Sequence, residues 1–431
     1  MAHWLTCGQP IHPRRFSITF WKGPSLSYLP NSSSHLDVVA TQTYLPRLDG
    51  LRAISIALVL VEHFFWSGHG VAAPGVIVFF VISGFLITSI LMSYADRFTV
   101  HDAALTFYWR RTLRLFPIYY LCIAVTVILN IGGMRQTWLV NALYLSNFKV
   151  AIDGAWNQSS HFWSLSVEEQ FYLLWFVVVM TVSRRGLVSA IVFCIVAGPM
   201  YRLIMWALGT TPFVDLLLPG AMDSLAMGAV LAYAVRYPRQ TRLWVQFQRF
   251  RWPLVLVFLS LAVAVQGSGV GALSRVGFAS CVSLFATCLV ALAIDERSDW
   301  RVDWLGGKTI RHFGKISYGI YVYHFFVPAI VDPHLHLQWA SQYHAVRLLR
   351  LLALTAVSVG VAEVSWFLIE RPLLQFKDRV PLLRRERRAA TSMVVGGRRG
   401  PDSGLARVVG EGAVVSSAER IAAKTKRASA G

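Results

Sequence analysis

The residues of this chain best suited to chemistry lie on one stretch, Pro46 to Trp66. It opens with Arg47, Asp49 and Arg52, runs through an apolar segment, and ends near Glu62 and His63. Arg52 and His63 are 11 residues apart. That is about three helical turns, so both project from nearly the same face, ~16 Å apart along the axis. Imidazole is the side chain best suited to moving protons near neutral pH. An ionisable group inside a bilayer is costly enough to be read as functional by default. As a general base, neutral His63 would take the proton from an acceptor hydroxyl. The plainer reading is a buried histidine bonded to a neighbouring helix, and the alignment with Arg52 weighs against it. Glu62 is adjacent in sequence, projects about 100° away, and need not orient the imidazole.

Further stretches hold groups that could complete such a site. In Phe107 to Pro117, Arg111 and Arg114 share a helical face, and Pro117 would sit in the first turn of the next membrane helix. A planar guanidinium fork suits phosphate; a positive membrane anchor explains the same residues equally well. In His161 to Trp175, Ser166 and Glu169 fit a capping box opening a helix. That leaves His161, Trp163, Glu168 and Gln170 without an explanation. In Gly75 to Thr88, Ser83 and Gly84 allow close helix approach, with Phe79 and Phe80 as a lesser candidate for the wall of a substrate passage. In Ile316 to His324, Tyr321 and His324 share a face. Tyr318 reads as an interfacial aromatic and His324 as a deeper polar group. Glu370-Arg371-Pro372 reads as a helix stop.

Positioning these groups requires helices that cross a membrane. The chain is 55% hydrophobic and 15% charged, whereas a soluble domain is nearer a quarter charged. Repeated apolar runs of about 20 residues make it an all-α, polytopic membrane protein. Spans are expected at 53–67, 74–93, 115–131, 162–182, 187–206, 219–235, 253–267, 276–294, 316–332 and 347–369. The stretch 138–148 is too short to span and reads as re-entrant or interfacial. About ten transmembrane helices then result, with both termini on one side. That side receives Arg110, Arg111 and Arg114, then Arg184 and Arg185, then the arginines of 236–251. The positive-inside rule makes it cytoplasmic.

A net charge of +19 would suggest nucleic acid in a soluble protein. Here the basic residues lie in short loops and the tail, so they signal topology and no nucleic-acid partner is expected. The five cysteines, at 7, 122, 194, 281 and 288, show no metal or disulfide spacing. Residues 1–44 read as a polar extension without a signal-peptide core. Residues 45–376 read as the membrane domain, and 377–431 as a basic, disordered cytoplasmic tail.

Taken in order, these motifs resemble the acyltransferase-3 family of integral membrane acyltransferases. The match comprises an arginine, ten residues and a histidine (Arg52, His63); Phe-Phe-x-x-Ser-Gly-Phe (79–85); and an aromatic before Arg-Arg-x-x-Arg-x-x-Pro (109–117). It continues with Trp-Ser-Leu-x-x-Glu (163–168), Ser-Tyr-Gly-Ile-Tyr-x-x-His (317–324) and Glu-Arg-Pro (370–372), from about Tyr44 to Phe376. The resemblance implies transfer of an acyl group, acetyl above all, from acyl-CoA to a hydroxyl of an extracytoplasmic or lipid-linked glycan. The setting would be the inner (cytoplasmic) membrane, with no tightly bound cofactor and no metal. His63, Glu168 and Glu169 are the expected catalytic residues. Arg52, Arg111 and Arg114 are expected at the donor phosphates, and His161, Trp163, Tyr321 and His324 at the substrate. A transporter or flippase of a modified saccharide is the competing class, although no inverted repeat is visible.

Overall fold

The computed structural model describes residues 44–378, except 67, 69, 158, 239–241, 296, 298 and 336–342. The polar extension and the basic tail therefore lie outside the described residues, apart from their edges. Among the described residues every regular element is helical. Those of eight residues or more are α1 (Pro46–Phe64), α2 (Ala72–Ala95), α3 (Val100–Ile128), α4 (Met134–Ala142), α5 (Ser146–Asp153), α6 (Phe162–Thr181) and α7 (Arg184–Ala207). They continue with α8 (Leu218–Arg236), α9 (Leu243–Gly267), α10 (Gly271–Ile294), α11 (Lys308–Tyr323), α12 (Val327–Leu335) and α13 (His344–Ser365). Pro46 opens α1 at a position where its missing N–H costs nothing. Thr99 and Ser183 cap α3 and α7 through their hydroxyls.

Among the described residues, seven helices are long and apolar enough to cross a membrane: α2, α3, α7, α8, α9, α10 and the last helix, from His344 to Leu374. The protein is thus a multi-pass membrane protein. The other three expected spans correspond to α1, α6 and α11–α12. Of these, α1 and α6 fall outside that class through their charged and polar residues, and α11 and α12 through their lengths of 16 and 9 residues.

Four local expectations need correction. The arginine cluster and the following membrane helix form one 29-residue helix, α3, with Pro117 inside it. The expected span 316–332 is broken: α11 stops at Tyr323 and α12 starts at Val327, with His324 at the break. Ser166 is no cap, because α6 already begins at Phe162 and the Ser166 hydroxyl donates to the Phe162 carbonyl. Tyr318 is no interfacial aromatic; its hydroxyl donates to the Leu115 carbonyl, 2.9 Å away, tying α11 to α3. The short stretch 138–148 is not one helix. It is split between α4 and α5 by Tyr144 in a left-handed conformation (φ 55°). Gln170 straps that break, donating to the Tyr144 carbonyl at 2.9 Å and pairing with Asn147.

Helix α2 packs closely on α8 through glycine. A Cβ on Gly84 would strike the Leu225 carbonyl, and one on Gly228 would strike backbone atoms of Val81 and Phe85. Backbone cannot yield as a side chain can, so Gly228→Val should cost at least the ~1–3 kcal/mol typical of overpacking. Thermal unfolding of the purified protein in detergent should show a clear loss, while Gly267→Val, in open space, should melt near wild type. Equal melting of the two variants would contradict the close approach.

Candidate active site

Two polar clusters lie along α1 and α6. The first is built on histidine. His324 Nδ1 lies 2.8 Å from the Tyr321 carbonyl, which can only accept, so Nδ1 carries the proton. The lone pair of neutral His324 is then on Nε2, which lies 3.1 Å from His63 Nδ1. His63 Nδ1 must donate, and the His63 lone pair falls on Nε2. The His63 ring also bonds to the backbone of Val59, one turn back. Phe325 packs edge-on against His63, centroids 5.0 Å apart.

His161 stands against the same group. Its ring is 5.3 Å from that of His324 and stacks on Phe325. His161 Nε2 donates to the Val322 carbonyl at 3.2 Å. Its own lone pair is therefore on Nδ1, a buried atom with no hydrogen-bond partner among the described residues. Tyr321 donates to the His161 carbonyl at 2.9 Å, and the Ser164 hydroxyl lies 2.6 Å from the Tyr321 hydroxyl. Trp163 turns aside and packs on Phe80. The break between α11 and α12 is what exposes the Tyr321 and Val322 carbonyls to imidazoles rather than to amides four residues on. Irregular backbone at membrane depth is tolerated where it is buried in protein.

The second cluster is built on arginine. Arg52, Arg111 and Arg114 converge, and Arg52 and Arg111 both repel the Arg114 charge, Arg52 the more strongly. Arg52 lies 3.9 Å from Asp49, and its Nε is buried without a hydrogen-bond partner among the described residues. Arg111 lies over the Tyr172 ring at 4.7 Å. Glu168 accepts from Ser83 and Tyr172 and faces the charges of Arg111 and Arg52. The Ser83 and Tyr172 hydroxyls are themselves bonded. Asp49, Glu168, Glu169 and Glu370 lie around these three guanidiniums, whose planar forks are of the kind that can hold an anion with several oxygens. At the start of α1, Tyr44 donates to Asp49 at 2.6 Å, and burial followed by this bond raises the Tyr44 phenol above its ordinary range.

The sequence-derived candidates thus divide. His63, His161, Tyr321 and His324 meet at one cluster; Arg52, Arg111, Arg114 and Glu168 meet at the other. Glu168 bonds at the arginine end rather than to His63. Glu169 lies between the two surroundings, within reach of the Arg111 charge and among Tyr108, Tyr119, Tyr144 and Tyr318 of α3 and its neighbours. Glu62 accepts from the amides of Gly68 and Val71 at 2.8 and 2.6 Å, folding the loop after α1. Ser83, Ser164 and Tyr172 were not singled out from sequence as site residues. Spacing could have found two of them: His161, Ser164, Glu168 and Tyr172 step by three, four and four residues along one face of α6. That stripe runs from the histidines to the arginines over about 16 Å, the same interval that separates His63 from Arg52 on α1. No group of residues able to hold a metal ion is present among the described residues.

Comparison with known proteins agrees in extent with this helical body. The sequence profile of the acyltransferase domain Acyl_transf_3 matches residues 45–369. YrhL of Bacillus subtilis is 29% identical over 365 residues, covering 77% of this chain and 55% of that protein. The peptidoglycan O-acetyltransferase OatA of Listeria monocytogenes is 26% identical over 361 residues, covering 77% and 56%. The O-acetyltransferase OatA of Staphylococcus aureus is 27% identical over 364 residues, covering 78% and 58%. The chain therefore spans little more than half the length of these curated relatives. No solved structure matches it.

Proposed function

The chain belongs to the acyltransferase-3 family, and from that premise we propose that it transfers an acyl group, acetyl first, from acyl-CoA to a hydroxyl of a cell-envelope glycan. The donor would bind from the cytoplasm with its phosphates on Arg52, Arg111 and Arg114. Its pantetheine arm would follow the polar stripe of α1 and α6, and the thioester would reach His63. The glycan hydroxyl would attack the thioester carbonyl carbon as its proton passes to His63 Nε2. The carbon–sulfur bond then breaks, and the departing thiolate takes the proton from the imidazolium. Fixing the two reactants at opposite ends of one track is the positional part of catalysis. The observation that carries this reading is the His63–His324 bond, since it leaves the His63 lone pair at Nε2. The names of the relatives support acetyl as the group and peptidoglycan as the acceptor class.

The decisive experiment uses the full chain in proteoliposomes, supplied with acetyl-CoA and peptidoglycan glycan strands. Release of free CoA thiol together with base-labile acetyl on the glycan supports the proposal. Transport of glycan without CoA release would support a carrier instead. The donor side is tested separately in cells, in a background lacking the five native cysteines. A cysteine at Thr211 should label with an impermeant thiol reagent. One at Gln240, outside the described residues, should label only after the membrane is opened. Labelling of Gln240→Cys in intact cells would place the arginines on the wrong side for a cytoplasmic donor.

A further inference from the structure

The end of α1 that presents His63 is held by a side chain that belongs to neither cluster. The last carbonyls of a helix have no partner within it. Here Arg347 donates to the Phe65 carbonyl, and Arg350 Nη1 donates to the Phe64 carbonyl at 3.1 Å. Phe64 directly follows His63. The same Arg350 guanidinium grips Asp332, from Nε to Oδ1 at 3.2 Å and from Nη2 to Oδ2 at 2.8 Å. Asp332 is 3% exposed and lies on α12, the helix that leaves the break at His324. One planar fork therefore ties the residue after His63 to the helix after His324. The His63–His324 bond spans that same junction.

We propose that Arg350 is a positioning residue: it sets the register of α1 against α11–α12, and so holds His63 Nδ1 on His324 and keeps the His63 lone pair on Nε2. This rests on reading His63 as the base. A lysine at 350 would keep the charge but could not serve a bidentate carboxylate and a helix-end carbonyl together, because that takes the planar fork. Loss of the fork should shift the imidazole rather than remove it. A misplacement of about 1 Å can cost on the order of 10²-fold in rate.

The test compares wild type, R350A and R350K as full chains in the proteoliposome assay above. R350A should lose about 10–10²-fold in kcat with an unchanged KM for acetyl-CoA. Added guanidinium ion should restore part of that loss, and R350K should remain impaired. A second readout needs no acceptor. Imidazole ¹⁵N signals, assigned by their disappearance in H63Q and H324Q, should report one Nδ1-protonated tautomer of His63 in wild type and a tautomer mixture in R350A. Folded R350A with wild-type turnover and an unchanged His63 spectrum would overturn the proposal. So would a loss that merely follows the amount of folded protein and ignores guanidinium. If wild type releases no CoA, the functional reading fails instead, while the ¹⁵N comparison still decides whether Arg350 sets His63.

Discussion

Replacing His63 with glutamine is expected to lower turnover by about 10²–10⁴-fold, the usual contribution of a positioned general base, with donor affinity near wild type. Glutamine can make hydrogen bonds similar to those of the imidazole, but it has no nitrogen that takes a proton at neutral pH. The site should therefore stay folded and fail chemically. Affinity should hold because the donor phosphates would sit on Arg52, Arg111 and Arg114, about 16 Å along the helix from the imidazole. The measurement is single-turnover acetyl transfer alongside equilibrium binding of CoA. His324→Gln should be milder than His63→Gln, because His324 acts on the base and not on the substrate. A His63→Gln protein that transfers acetyl at the wild-type rate would reduce His63 to a packing residue, and the direct-attack mechanism would fall with it.

Arg114→Lys is expected to weaken acetyl-CoA binding by about 10–100-fold. That factor corresponds to losing one hydrogen bond between charged partners, about 1.5–3 kcal/mol. The substitution keeps the positive charge, so insertion and orientation in the membrane should not change. What is lost is the fork that could hold two phosphate oxygens at once. Arg114 is the informative position because Arg52 and Arg111 both press on its charge. An arrangement of like charges gains most from a bound anion, so the change should register in donor KM before it registers in kcat. Binding of CoA should also weaken with rising salt, since screening reduces attraction between separated charges. Unchanged affinity in Arg114→Lys would mean that the cluster anchors the helix and holds no donor.

The contrast between the α6 glutamates shows what a linear motif does and does not carry. Glu168 and Glu169 are neighbours in sequence, and the family motif implies a catalytic role for both. In the folded chain Glu168 accepts from Ser83 and Tyr172 beside the arginines, while Glu169, also near Arg111, lies against a group of tyrosines. Adjacent helical residues diverge by about 100°, so a shared motif does not give them the same partners. The capping-box reading failed for a related reason. Ser166 and Glu169 have the right spacing, but the helix had already begun at Phe162. The Ser83-Gly84 pair splits in the same way: Gly84 meets the Leu225 backbone, while Ser83 bonds to Tyr172.

By itself the sequence determined that this is an all-helical, multi-pass membrane protein of the acyltransferase-3 family. Apolar runs of about 20 residues have few other solutions, and the motifs recur in a recognisable order. It also determined that Arg52 and His63 share one face, because that follows from helical pitch alone. Only the tertiary structure decided that His63 is bonded to His324, 261 residues away in the chain. It also decided that α11 breaks at that point, and that Arg350 fastens both sides of the junction. The physical reason is the range of the interactions. Hydropathy and periodicity are properties of neighbouring residues. A tautomer depends on which carbonyl faces which nitrogen, and that is settled only when distant helices pack.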